Sequence, residues 1–208
     1  MISGDMFMKN QYSFLEFVST IFSLLCTKLF YRPARLIRRP IYIRGKSSLQ
    51  IREGLTTGYA CRFDLKGHNL KTLIIGQYCK MGDNVHIVAL EKVTIGNNCL
   101  LASKIFISDT NHGDYSMQGQ DSAPSIAPKD RPLYTKSVSI GNNVWIGENV
   151  CILPGVRIGN GSIIGANSFV NKDIPDKCIA VGSPARVIKR YNLVSERWEK
   201  INHENFSD

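Results

Sequence analysis

Residues 138–175 read VSIGNNVWIGENVCILPGVRIGNGSIIGANSFVNKDIP. An aliphatic side chain returns at every sixth position of this stretch: Ile140, Ile146, Ile152, Ile158, Ile164 and Val170. Glycine follows four of them, at 141, 147, 159 and 165. Four positions beyond each aliphatic stands a small or β-branched residue: Val144, Val150, Val156, Ser162, Ser168 and Ile174. A helix repeats near 3.6 residues and a strand at 2, so neither produces this period. A sustained period of six marks a solenoid, whose coils stack and bury one continuous core.

The period extends toward the N-terminus through Ile51, Thr57 and Phe63, then Ile75, Met81 and Ile87, then Ile95, Leu101 and Ile107. Between Ile87 and Ile95 the phase slips by two residues, which predicts a small outward bulge at 89–92. Short strands joined by turns wind a prism, and three hexads make one coil of 18 residues, giving about seven coils or fewer. Glycine and asparagine pairs such as Gly96-Asn97-Asn98 and Gly141-Asn142-Asn143 suit the corners, where left-handed backbone is needed. Cys61, Cys79 and Cys99 fall on the small inward position, which makes them packed hydrophobes. None of the six cysteines has C-x-x-C or zinc-ligand spacing; they read as free thiols of a reducing compartment.

The chain of 208 residues is 43% hydrophobic and 21% charged, which excludes both a disordered tail and a multi-span membrane protein. Its net charge of +9 is unevenly placed. From Phe17 to Arg52 there is no acidic residue, while Lys28, Arg32, Arg35, Arg38, Arg39, Arg44, Lys46 and Arg52 carry +8. The remainder sums to +1, so the repeat-bearing body is nearly neutral. Just before this basic run, Phe14, Phe17, Val18, Ile21, Leu24 and Leu25 form one helical stripe. The longest uncharged run there, 17–27, is too short to span a bilayer. Two readings stay open: a helix packed on the body or on another subunit, or an interfacial helix drawn to anionic lipid through residues 12–46. Nucleic acid is excluded as a partner, because the basic run has no reading motif and no aromatic stacking platform.

One long interruption breaks the repeat, between Ile107 and Val138. Loops of this length in a compact fold are usually functional or disordered. At its root, in Asp109-Thr110-Asn111-His112-Gly113, lies one of four histidines. His112 reads either as a turn residue or as a base able to take a proton near neutral pH.

The 138–175 string, followed by VGSPARVIK at 181–189, resembles the hexapeptide-repeat acyltransferases. Within them it is most similar to bacterial O-acetyltransferases of lipopolysaccharide O-antigen and exopolysaccharides, and to the maltose and galactoside acetyltransferases. The resemblance spans about residues 45–192 and implies a mainly β fold: a left-handed parallel β-helix with an N-terminal helical segment, one long catalytic loop and a short C-terminal helix. The layout of the whole chain then reads as residues 1–46 as apolar helix and basic segment, 47–186 as β-helix with loop 109–137, and 187–208 as a capping helix, the last from the helical spacing of Val194, Trp198 and Ile201.

It further implies acetyl-coenzyme A as co-substrate with no metal, a sugar or polysaccharide acceptor, and a homotrimer with active sites between subunits. The implied location is cytoplasmic, with peripheral contact at the inner face of the cytoplasmic membrane as a further reading. His112 becomes the general base for direct attack on the thioester. The backbone N–H of Glu148 becomes the oxyanion donor, Ala166 a neighbour of the pantetheine arm, and Asn171, Lys172, Arg186 and Lys189 the nucleotide-end contacts. Trp145 is either a wall of the site or an interface residue. On the acceptor side the candidates are Asp83, Asn84, His86 and Tyr115, with corner-forming as the plainer role for Asp83 and Asn84. Acetylation of an amino-sugar nucleotide nitrogen is the alternative activity. The His68–His86 spacing of 18 raises a further one, a metalloenzyme like the gamma carbonic anhydrases, although no H-x-x-x-H or H-x-x-x-x-H accompanies it.

Overall fold

The computed structural model describes residues 12–67, 70–115 and 122–201. Its body is a parallel β-helix with three faces. Face A stacks Leu36–Ile37, Thr56–Thr57, Lys80–Met81, Leu100–Leu101, Trp145–Ile146, Ile163–Ile164 and Cys178–Val181. Face B stacks Ile41–Arg44, Cys61–Leu65, His86–Ala89, Phe106–Ser108, Cys151–Ile152 and Phe169–Val170. Face C stacks Leu49–Ile51, Leu73–Ile75, Val93–Ile95, Val138–Ile140 and Arg157–Ile158. The chain visits A, B and C in turn, so each strand pairs with its counterpart one coil away.

The hexad residues do what their spacing requires. All six aliphatics from Ile140 to Val170 and all six partners from Val144 to Ile174 are buried. Corner glycines follow from coil spacing: a Cβ at Gly147 would lie 2.6 Å from the Ala166 amide nitrogen, so no side chain fits between the coils there. Asn84, Asn98, Asn143, Asn149 and Asn167 close their corners with φ between +55° and +59°.

Two boundaries differ from the sequence reading. Residues 36–44, grouped above with the N-terminal segment, already form the first coil: Leu36 pairs with Thr56 and Ile41 with Cys61. The spacing of Ile37, Ile43 and Leu49 is itself six residues, a run the basic residues around it obscured. The expected C-terminal helix is absent among the described residues. Arg186–Asn192 runs antiparallel to Cys178–Val181, and Arg197–Lys200 runs antiparallel to Arg186–Asn192. The last coil leaves a strand edge with open backbone groups, and a strand satisfies these where a helix cannot. Val187, Lys189 and Tyr191 alternate with more exposed neighbours, and Tyr191 meets Trp198 edge to face at 5.4 Å. Val194, Trp198 and Ile201 had suggested helical spacing, but Val194 sits in the hairpin turn, 94% exposed.

The N-terminal helix α1 (Phe14–Phe30) forms as the sequence leads one to expect, with Ser13 and Glu16 closing a capping box. All six cysteines are free thiols.

Candidate active site

The 109–137 loop leaves the prism between faces B and C in the fourth coil. Its first residue is Asp109, fully buried, whose carboxylate accepts from the backbone amides of Leu90 (2.9 Å), Glu91 (2.8 Å) and Lys92 (2.8 Å). These amides belong to the bulge one coil below. Burial raises the Asp109 carboxyl above the usual aspartate value, against the pull of the three amides. The far end of the loop is tied to the same bulge. The Ser137 hydroxyl donates to Glu91 at 2.5 Å, and the Lys136 amide donates to the Asp109 carbonyl at 2.8 Å. The sequence disclosed bulge and loop separately; no spacing signal says that one clamps the other.

From this root, Thr110–His112 pairs antiparallel with Leu133–Thr135, an arm that carries His112 opposite Leu133. The His112 imidazole stands exposed at the end of the arm. The Tyr115 hydroxyl donates to the His112 carbonyl at 2.9 Å and accepts from Arg131 at 2.6 Å. Arg131 also donates to the Ile126 carbonyl at 2.9 Å. Tyr115 thus braces the arm as well as standing beside it, and Arg131 is a positioning residue the sequence reading missed.

The corner between faces A and B gathers five of the other candidates into one column. Asp83 and Asn84 occupy it in the third coil, Ser103 in the fourth, Glu148 in the fifth and Ala166 in the sixth. Gly182 to Arg186 turn there in the seventh. Successive coils lie about 4.8 Å apart. One amide at each of the first corners donates to the corner side chain one coil on. Tyr59 N–H gives to Asp83 (2.7 Å), Asp83 N–H to the Ser103 hydroxyl (3.0 Å), and Ser103 N–H to Glu148 (3.4 Å). The next rung would run from the Glu148 N–H to residue 166. Alanine offers no acceptor, and among the described residues the Glu148 amide donates to none. The C–A corner shows the unbroken version, from Gln77 through Asn97, Asn142 and Asn160 to Asp176.

Asp83 and Asn84 therefore both have corner work: Asp83 in this ladder, Asn84 in a left-handed turn. Trp145 borders the column on face A, half exposed. Arg186 stands exposed at its far end, its guanidinium donating to the Ala185 carbonyl at 3.1 Å. Asn171 and Lys172 are exposed at the B–C corner of the sixth coil, and Lys189 is half-buried in the terminal hairpin. His86 is on face B, tilted against Phe106 at 5.3 Å, with its Nε2 2.9 Å from Asp64. Arg62 and Arg44 also pair with Asp64, at 2.7 and 3.1 Å. Partial burial works the other way, but His86 and the two arginines hold this carboxyl below its usual value. His68, the other member of the histidine pair, lies outside the described residues. Among the described residues no three His, Cys, Asp or Glu side chains gather closely enough to hold a metal.

His112 and the A–B column thus leave opposite edges of face B. The three residues Phe106–Ser108 span that face between them.

Comparison with known proteins fits this architecture. Residues 137–172 match the family model "Bacterial transferase hexapeptide (six repeats)". The chain is 41% identical over 191 residues to the putative lipopolysaccharide biosynthesis O-acetyl transferase WbbJ of Escherichia coli K12, covering 92% of this chain and 96% of that protein. A galactoside acetyltransferase solved in complex with coenzyme A superposes with a TM-score of 0.52 at 33% identity, over 74% of this chain and 71% of that one. The hexapeptide-repeat acetyltransferase VCA0836 of Vibrio cholerae, solved with acetyl coenzyme A, gives 0.52 at 28% identity, over 65% and 70%. With its coils, its interrupting arm and a relative matched across almost its whole length, the chain belongs to the hexapeptide-repeat acetyltransferases.

Proposed function

We propose that this acetyltransferase moves an acetyl group from acetyl-coenzyme A to a sugar hydroxyl of a bacterial surface polysaccharide or its precursor. The candidates are O-antigen, capsule and exopolysaccharide. The observation that carries the reading is the A–B column, where the Glu148 N–H, without an acceptor among the described residues, lies two coils from the cationic end at Arg186. An extended thioester lying along the column would present its carbonyl oxygen to the Glu148 N–H and its arm to Ala166. Its phosphates would meet Arg186, with Lys172, Lys189 and Asn171 close to the same end of the prism. Trp145 would wall the site.

His112 acts as general base on the acceptor hydroxyl, which attacks the thioester carbon directly. The hydroxyl proton passes to the imidazole, the C–S bond breaks, and the imidazolium returns that proton to the departing sulfur, so the coenzyme leaves as its thiol. Charge on the carbonyl oxygen is met by a donor that needs no reorganisation. His112 and Glu148 border opposite edges of face B, so one chain's arm serves a neighbour's column, as in a homotrimer. Asp83, Asn84, His86 and Tyr115 remain candidates for the acceptor side. The relative named for lipopolysaccharide biosynthesis supports a surface-polysaccharide acceptor, and with it a cytoplasmic enzyme working at the inner face of the membrane.

The test is coenzyme release from acetyl-coenzyme A against a panel of oligosaccharides and sugar nucleotides. Release should depend on a sugar hydroxyl and fall about 10²- to 10⁴-fold in His112→Ala with the assembly intact. Full activity in that variant would remove His112 as the base. Transfer only to an amino-sugar nitrogen would replace the O-acetyl reading.

A further inference from the structure

Helix α1 is mounted inside out. A surface helix ordinarily turns its apolar stripe to the core, but α1 seats its small polar side. Ser23 and Thr27 are buried, with Ser19, Thr20 and Cys26 half-buried beside them. The seat is made of hydroxyls: the Ile37 amide donates to the Thr27 hydroxyl at 2.9 Å, and the Arg39 amide to the Ser23 hydroxyl at 3.2 Å. The large residues face outward: Phe14 and Leu15 are 78% exposed, Leu29 71%, Leu25 64% and Phe22 59%. At 100° per residue, these and Phe17, Val18, Ile21 and Leu24 fill about half the helix circumference.

The charge beside this face is as one-sided as its hydrophobicity. Where α1 ends, Lys28, Arg32, Arg35 and Lys80 line a cleft of about 460 Å³, with Glu53 its only carboxylate. None of these cations is ion-paired among the described residues, whose salt bridges all converge on Asp64. A second copy of the chain docking here symmetrically would bring two such clusters together, at a cost in repulsion. An anionic surface removes that cost. At 17 residues α1 is about 25 Å long, short of the ~30 Å hydrocarbon thickness, and no described helix is long and apolar enough to cross a membrane.

We propose that α1 and this cleft together form a lipid-docking surface. The outward half of α1 lies in the interfacial layer of a bilayer rich in anionic lipid, and Lys28, Arg32, Arg35 and Lys80 meet headgroup phosphates. The proposal rests on the reading of an enzyme at the inner membrane face, and gives that reading its contact surface and lipid chemistry. Hydroxyl bonds to the first coil make α1 a rigid keel, so docking also fixes the orientation of the prism above the membrane.

The test is flotation of the full-length protein with vesicles of phosphatidylglycerol and phosphatidylethanolamine, against vesicles of phosphatidylcholine alone. Wild type should partition to the anionic vesicles and be released by salt. The triple variant Lys28→Gln, Arg32→Gln, Arg35→Gln should bind about 100-fold more weakly, at about fivefold per cation. Phe22→Asp with Leu25→Asp should lose binding with an unchanged melting temperature, since both side chains are exposed. Equal partition of all three proteins, or none by wild type, overturns the proposal. So does a shift in oligomer mass for the Asp variant with flotation unaltered, which would assign the face to another copy. Acetyl transfer by wild type to a soluble oligosaccharide, read in the same preparation, keeps the two readings apart. A protein that transfers acetyl but stays off vesicles loses the docking surface and retains the enzymatic function.

Discussion

At the scale of single residues, the site is defined by a missing acceptor. Along the A–B corner every amide from Tyr59 to Ser103 finds a side chain one coil on, until Ala166 ends the series. A methyl there leaves the Glu148 N–H available, and a serine would restore the rung, as Ser103 does for Asp83. Ala166→Ser should therefore fold at least as stably as wild type while lowering kcat by up to about 100-fold, the scale of losing one oxyanion donor. Ala166→Gly, which also lacks an acceptor, should retain kcat. Steady-state kinetics beside thermal melts decides, and an unchanged kcat in the serine variant would take the Glu148 amide out of the reaction. Sequence reading reached Glu148 and Ala166 as candidates only through family resemblance. The corner ladders that make them stand out connect residues 16 to 45 apart, and their acceptors are Asp, Ser, Glu and Asn in no fixed order.

At the scale of elements, the clamp under the loop carries the most weight. Asp109 holds three amides of the bulge, and Glu91 of that bulge holds Ser137, so 27 residues between 109 and 137 are closed off from the prism at both ends. Asp109→Ala would leave three part-buried amide donors without their acceptor and should cost about 2 kcal/mol. It should also free the arm that presents His112, so kcat should fall while the imidazole itself is untouched. Chemical denaturation and limited proteolysis within 113–131 measure the two effects; unchanged proteolysis would deny the clamp its positioning role. The elements built from the hexad were legible because a period of six is so unlike helix or strand. The terminal hairpin was not, because the strand edge that selects it exists only once the last coil has formed. α1 was legible as a helix and not as to its facing, since apolar periodicity tells where the stripe is but not which side the body takes.

At the scale of the whole molecule, the proposed base and the proposed oxyanion donor stand on opposite edges of one face, so the proposed mechanism requires assembly to bring them together. A mixture of His112→Ala and Ala166→Ser subunits tests this directly. If base and amide come from different chains, roughly a quarter of the sites in randomly mixed rings combine an intact arm with an intact column. Activity should then exceed that of either parent after co-refolding; a mixture no better than its parents would place the two groups in one chain. The clamp at Asp109 also carries an evolutionary consequence. Because both ends of the loop are fastened to the coil beneath, the segment beyond the His112 arm is a cassette whose contents can be rewritten without disturbing a single hexad. Descent with modification can thus vary that segment while the coils and the column are inherited unchanged.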